Sequence, residues 1–168
     1  GMPLGASLGE GYMSSEVNEV EPETAEHWHN LTHLGSQSIH PKINPQDLVF
    51  VDIRDLEEQE WKDIDDNKIK CYLPARIFNK KMQDVAEACL TYLEHCDHIY
   101  VSFDVDSMDP SVSVGTGTSV DNGLSLKQAK KLLKSLWESE KLACLEITEV
   151  NPLLDQENRM AEAVVEIL

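Results

Sequence analysis

The sequence predicts an α/β fold in which helices cover a mostly parallel sheet. Three observations lead there. Strand-like and helix-like segments alternate three times from residue 69 to the end, which is the βαβ pattern. The runs at 48–53 and 99–105 are nearly continuous in apolar residues, as strands of a parallel sheet are. The chain has 168 residues and is 41% hydrophobic, enough to build one domain-sized core.

The elements follow in order. Residues 1–23 have little periodicity. Pro22 to Glu26 opens a helix expected to run to about Leu34, with Thr24 as N-cap and a mixed stripe of His27, Trp28, Leu31 and Leu34. Gly35, Pro41 and Pro45 punctuate a loop. Leu48 to Ile53 reads as a strand buried on both faces. An acidic run follows, from Asp55 to Asp66. Ile69 to Leu73 reads as a second strand, stopped by Pro74. Residues 80–94 carry the clearest helical spacing: Met82, Val85, Ala86, Cys89, Leu90 and Leu93. Ile99 to Val105 is the next strand, and 110–123 is a loop rich in Gly, Ser and Thr. Ser125 is placed to cap a helix holding Ala129, Leu132, Leu133 and Leu136. Leu142 to Thr148 is a further strand, ended by Asn151 and Pro152. Residues 158–168 form a last helix with Met160, Ala163, Val164 and Ile167 on one face.

Charge narrows the function classes. With 31 acidic against 14 basic residues, the net charge is -17. A nucleic-acid partner is disfavoured, because phosphate backbones are held by lysine and arginine. No apolar window is long enough for a membrane span, and no secretory signal pattern is visible. Cys71, Cys89, Cys96 and Cys144 include no CxxC pair, and are expected as buried thiols of a reducing, cytoplasmic setting. Dense carboxylates have another use, which is to hold a hard dication.

The sharpest chemical signal is Asp104, Asp106 and Asp109, in the run from Phe103 to Pro110. Asp104 and Asp106 are expected at the carboxyl end of a strand, on one side, where they repel each other. A bound cation removes that conflict, and the crevice beyond strand ends is the usual ligand site of open α/β folds. Asp109, ahead of Pro110, is expected to brace the turn. The alternative is that all three are solvated or capping residues. Two carboxylates alone make an incomplete site for a six-coordinate Mn²⁺ or Mg²⁺.

The segment from His98 to Ser111, then Gly115 to Thr118, Gly123 with Leu124, and Glu149 to Pro152 resemble, in this order, the ureohydrolase family of arginase, agmatinase and formimidoylglutamase. The resemblance covers residues 1–168 in outline. It implies a three-layer, arginase-like fold, present here as an incomplete C-terminal half and a single partial domain. Gly1 to Leu4 resemble the residues that follow the family's Gly-Asn-Leu-His, so the chain is expected to begin where the second half of such an enzyme begins.

Residue roles follow from that resemblance. The family binds two Mn²⁺ ions sharing a hydroxide that attacks a guanidinium or formimidoyl carbon. Asp104 and Asp106 match two of its metal-ligand aspartates, and Asp106 is also expected to help move a proton. Glu149 matches the acid that faces the guanidinium, a pairing suited to a planar cation. Arg54, Asp55, Glu57 and Glu60 resemble an arginase segment whose second acidic residue contacts the substrate's α-amino group. Glu57 stands at that position with a longer side chain. Arg54 and Asp55 are expected to be structural or to contact a neighbouring subunit. Ser119 replaces the proline usual after Thr-Gly-Thr, which implies a less rigid loop.

The other four ligands, an early His and an Asp-Ala-His-x-Asp set, have no match among His27, His29, His33, His40, His95 and His98. His27 and His29 are expected as surface residues, since i and i+2 diverge on a helix. The implied substrate is a small guanidino or formimidoyl compound. Arginine, giving ornithine and urea, is favoured slightly by the segment at Arg54. The chain alone is expected to bind Mn²⁺ weakly and to lack ordinary two-metal hydrolysis. A non-enzymatic alternative is a half that works only with its missing N-terminal half or through self-association, since half a sheet leaves an unpaired edge.

Overall fold

The computed structural model describes residues 2–11 and 19–168. Gly1, read above as the start of a second half, lies outside the described residues, as does part of the aperiodic 1–23 segment. The chain divides into two compact units, Gly1–Leu48 and Val49–Leu168.

In the first unit, α1 (Met2–Leu8) packs on α2 (Pro22–Thr32), with Ala6 and Thr32 buried. The sequence reading missed α1, whose Pro3 and Gly5 weaken any helical signal. It also placed the α2 cap at Thr24. Pro22 occupies the first helical position instead and Glu21 is the N-cap, because proline's fixed φ suits the first turn. Gly9 turns the chain with φ of 74°, and a Cβ there would lie 2.6 Å from the His40 ring. His33 stacks on His40 and meets His29 at a tilt, with both ring separations 4.1 Å.

In the second unit, β1 (Val49–Val51) pairs in parallel with β2 (Lys70–Tyr72), and β3 (Ile99–Asp104) in parallel with β4 (Leu142–Thr148). Among the described residues these form two separate two-stranded sheets. The connections are helical: α3 (Glu58–Asp66) between β1 and β2, and α6 (Leu126–Trp137) between β3 and β4. Between β2 and β3 come α4 (Pro74–Ile77) and α5 (Met82–Tyr92), and α7 (Arg159–Ile167) follows β4.

The periodic helix at 80–94, the helix after Ser125 and the last helix therefore form where expected. Ser125 caps α6: its Oγ accepts the Gln128 N–H, and Gln128 Oε1 accepts the Ser125 N–H at 2.9 Å. Asp155 performs a similar service for α7, its carboxylate accepting N–H bonds from Met160 and Ala161.

The core gathers Ile77, Met82, Val85, Ala86 and Cys89 with Ala129, Leu132 and Leu133, against Phe103 and Val105 of the β3 region and Met160 of α7. Val49, Val51 and Tyr72 close it from the β1–β2 side. Three expectations need correction. β1 is half-buried throughout rather than buried on both faces, since Val49 and Val51 are only partly covered where they pack on the core. Of the cysteines only Cys89 is buried, and Cys144 is exposed on β4. β3 is apolar on one face only: Ile99 and Phe103 are buried, while Tyr100, Ser102 and Asp104 are exposed.

Candidate metal and substrate site at the end of β3

Hydrophobic alternation fixes the position of Asp104. Burying Ile99, Val101 and Phe103 turns Tyr100, Ser102 and Asp104 to the opposite face. On β4 the partners of these three are Cys144, Glu146 and Thr148. Glu146 accepts the Ser102 hydroxyl at 2.8 Å. Asp104 Oδ1 accepts the Thr148 hydroxyl. Hydrogen bonding to Tyr100 and Ser102 holds the Glu146 carboxyl below its usual range, and the same bond pushes Tyr100 up to about 12.

Asp106 does not continue the strand. β3 ends at Asp104, and Val105–Ser107 form a 3₁₀ turn, so the same-side argument from strand alternation fails at this residue. Val105 stays fully buried through the turn, which is held by the Met108 N–H and the Ser113 hydroxyl, both donating to Val105 O. Asp106 is still held: Thr118 donates its hydroxyl to Oδ2 at 3.0 Å. Asp109 braces the next turn as expected, its Oδ1 accepting Ser111 N–H at 3.0 Å and Ser111 Oγ at 2.6 Å. The Ser111 bonds hold the Asp109 carboxyl below its usual range.

Two glycines let the surrounding loops close. A Cβ on Gly123 would sit 2.5 Å from the Met108 carbonyl carbon and 2.6 Å from Ser107 O. That approach allows Leu124 N–H to bond Ser107 O, and Asp109 N–H to bond Leu124 O. A Cβ on Gly115 would meet Asp155 and Met160, while Gly115 O accepts Asn151 N–H at 2.7 Å. This bond joins the Thr116–Thr118 loop to the segment after Glu149. Ser113, fully buried, donates to Val105 O.

Glu149 follows β4 directly, one residue past the partner of Asp104, with φ of 64° and an exposed side chain. A non-glycine residue in that region carries local backbone strain. Asn151 shapes the following turn by accepting Leu153 N–H on its side chain. Parallel pairing thus brings Asp104, Asp106 and Glu149 to one end of the β3–β4 pair. Glu57 lies on a different element, ahead of α3. It is exposed at the N-cap of α3, where Glu60 accepts its N–H at 3.0 Å.

Arg54 connects β1 to the aspartate turn. Its guanidinium bonds Asp52 Oδ2 at 2.7 Å and the carbonyls of Asp106 and Ser107 at 2.9 and 3.0 Å. Asp52 is buried and has φ of 62°. Burial pushes its carboxyl up to about 6, against the opposing pull of Arg54. Asp52, Thr118 and Thr148 were not anticipated as site residues. Thr118 and Thr148 act through contacts with residues distant in sequence, which no local spacing announces, while Asp52 pairs with Arg54 two residues on.

As a cation site the donors are hard oxygens, the right type for Mn²⁺ or Mg²⁺. One oxygen of each aspartate receives hydroxyl bonds, and among the described residues no donor reaches the other. The set is partial. Among the described residues, no group of three or more His, Cys, Asp or Glu within joint ligating distance includes Asp104 or Asp106. The residues present fit part of a metal's coordination shell and no more.

Comparison with known proteins bears on this arrangement. Residues 11–168 match the arginase family. An arginase from Bacillus caldovelox is 34% identical over the whole chain, which spans half of that relative's length. The structure of Helicobacter pylori arginase superposes with a TM-score of 0.84 at 33% identity, over 99% of this chain and 55% of that one. A hypothetical agmatinase from Burkholderia thailandensis is less similar, with a TM-score of 0.65 at 27% identity over 76% of this chain and 38% of that one.

Proposed function

The chain belongs to the arginase family, and from that premise we propose that it is the C-terminal half of a metal-dependent ureohydrolase, one partial domain whose complete form acts on a guanidino substrate. L-Arginine, giving ornithine and urea, is the favoured substrate. The arginase similarity extends over nearly the whole chain, including Arg54 to Glu60, whereas the agmatinase similarity is partial. Agmatine and formimidoylglutamate are the alternatives.

The observation that carries the reading is the convergence of Asp104, Asp106 and Glu149 at the carboxyl end of paired parallel strands, with a threonine hydroxyl on each aspartate. Asp104 and Asp106 would hold Mn²⁺, the family's metal, in a site completed by ligands from outside these 168 residues. Bound there, the metal supplies Lewis acidity and lowers the pKa of water. Thr148 and Thr118 restrain the two carboxylates. Asp106, less exposed than Asp104, is the carboxylate assigned to proton movement at the reacting carbon. Glu149 pairs with the guanidinium and sets its plane.

With two of six family ligands, this chain alone is expected to form no ornithine from arginine above the uncatalysed rate, with Mn²⁺ present. Hydrolysis at an ordinary enzyme rate of about 1–1000 per second would overturn that expectation. A working site requires the complementary half as partner. No helix among the described residues is long and apolar enough to cross a membrane, and a cytoplasmic location is proposed with the rest.

A further inference from the structure

We propose that Arg54 is a positioning residue that sets the geometry of Asp106 for metal ligation, with Asp52 as its buried anchor. This rests on the reading of Asp104 and Asp106 as metal ligands. The guanidinium is nearly enclosed, with 10% of the side chain exposed, and the Asp52 side chain beside it is 2% exposed. Its reach is unusual for an ion pair. Nη1 binds Asp52 Oδ2, Asp52 O and Ser107 O, while Nη2 binds Asp106 O at 2.9 Å and Val120 O at 3.4 Å.

Two of these acceptors are the carbonyls of Asp106 and its neighbour in the 3₁₀ turn, so one planar group fixes the backbone that aims the Asp106 carboxylate. A third, Val120 O, lies two residues beyond Thr118, whose hydroxyl holds Asp106 Oδ2. Arg54 therefore ties together the backbone beneath Asp106 and the loop that restrains its carboxylate. A lysine at this position retains the charge beside Asp52 but lacks the fork that reaches these carbonyls together.

The test is a Mn²⁺ titration of the ¹⁵N-labelled chain, read as paramagnetic broadening of backbone amides, with Asp106→Asn as control. In the parent chain, broadening is expected to centre on residues 104–107. In Arg54→Lys the midpoint should rise roughly tenfold, as when other groups that orient a ligand are removed, while the melt stays cooperative. Asp52→Asn should give a smaller rise in the same direction, which preserves the test if Arg54→Lys does not fold.

A folded Arg54→Lys with the parent midpoint, or, should it not fold, Asp52→Asn with that midpoint, overturns the positioning role. Asp106→Asn binding like the parent, or no broadening near 104–107 in the parent, overturns the metal reading and the positioning role with it. Loss of binding in Asp106→Asn alone leaves the metal reading standing and rejects Arg54.

Discussion

Asp52 carries the clearest pH signature of any single residue. Its folded carboxyl stands at about 6 against an ordinary 3.8, because burial outweighs the attraction of Arg54. A raised carboxyl favours the folded state fully below pH 3.8, and this stabilisation is lost as pH rises through about 6. The parent chain should therefore lose stability relative to Asp52→Asn across that window, by on the order of 3 kcal/mol. Urea unfolding of both proteins at several pH values measures it. A difference that stays constant from pH 4 to 7 would contradict the assignment. Asp109 and Asp155 have carboxyls lowered by hydrogen bonds, so they act oppositely at acid pH, but they are common to both proteins and cancel.

At the scale of elements, the loop from Met108 to Leu124 depends on a close backbone approach. Gly123→Ala places a methyl against backbone atoms of Ser107, Met108 and Asp109, which cannot move aside as a flexible side chain can. A loss of about 2–3 kcal/mol is expected from the overpacking. Ser125→Ala, which removes the cap of α6, should cost about 1 kcal/mol. Denaturant midpoints at constant slope check both.

The elements differ in how readable they were, and for physical reasons. α5 and α6 were legible because their apolar residues recur at helical spacing and bury in one core. α3 was not. Its surface is acidic, and its helicity rests on Glu57 and Glu60 at the start, a Lys62–Asp66 pair near its end and one buried residue, Ile64. Asp104 and Glu149 were placed correctly at strand ends. The 3₁₀ turn under Asp106 was missed, because its carbonyls are held by Ser113 and Arg54, which lie outside the turn. The bonds of Thr118, Thr148 and Arg54 to the aspartate region were equally invisible, since each joins segments far apart in sequence.

At the scale of the molecule, two parallel strand pairs stand without further neighbours among the described residues, and each leaves strand edges unpaired. Such edges favour association with a complementary half or a second copy. The net charge of -17 opposes a second copy, and salt screens that repulsion. Light scattering should therefore report a mass that rises with ionic strength. A strict monomer with a cooperative melt at every salt concentration would count against the partner-dependent reading.

The account stands or falls on Asp104 and Asp106 being metal ligands. The direct measurement is anomalous X-ray scattering from crystals of the chain soaked in Mn²⁺. The result expected is a peak in contact with both carboxylates. A well-diffracting soaked crystal with no peak there, or with manganese bound only elsewhere, would contradict it.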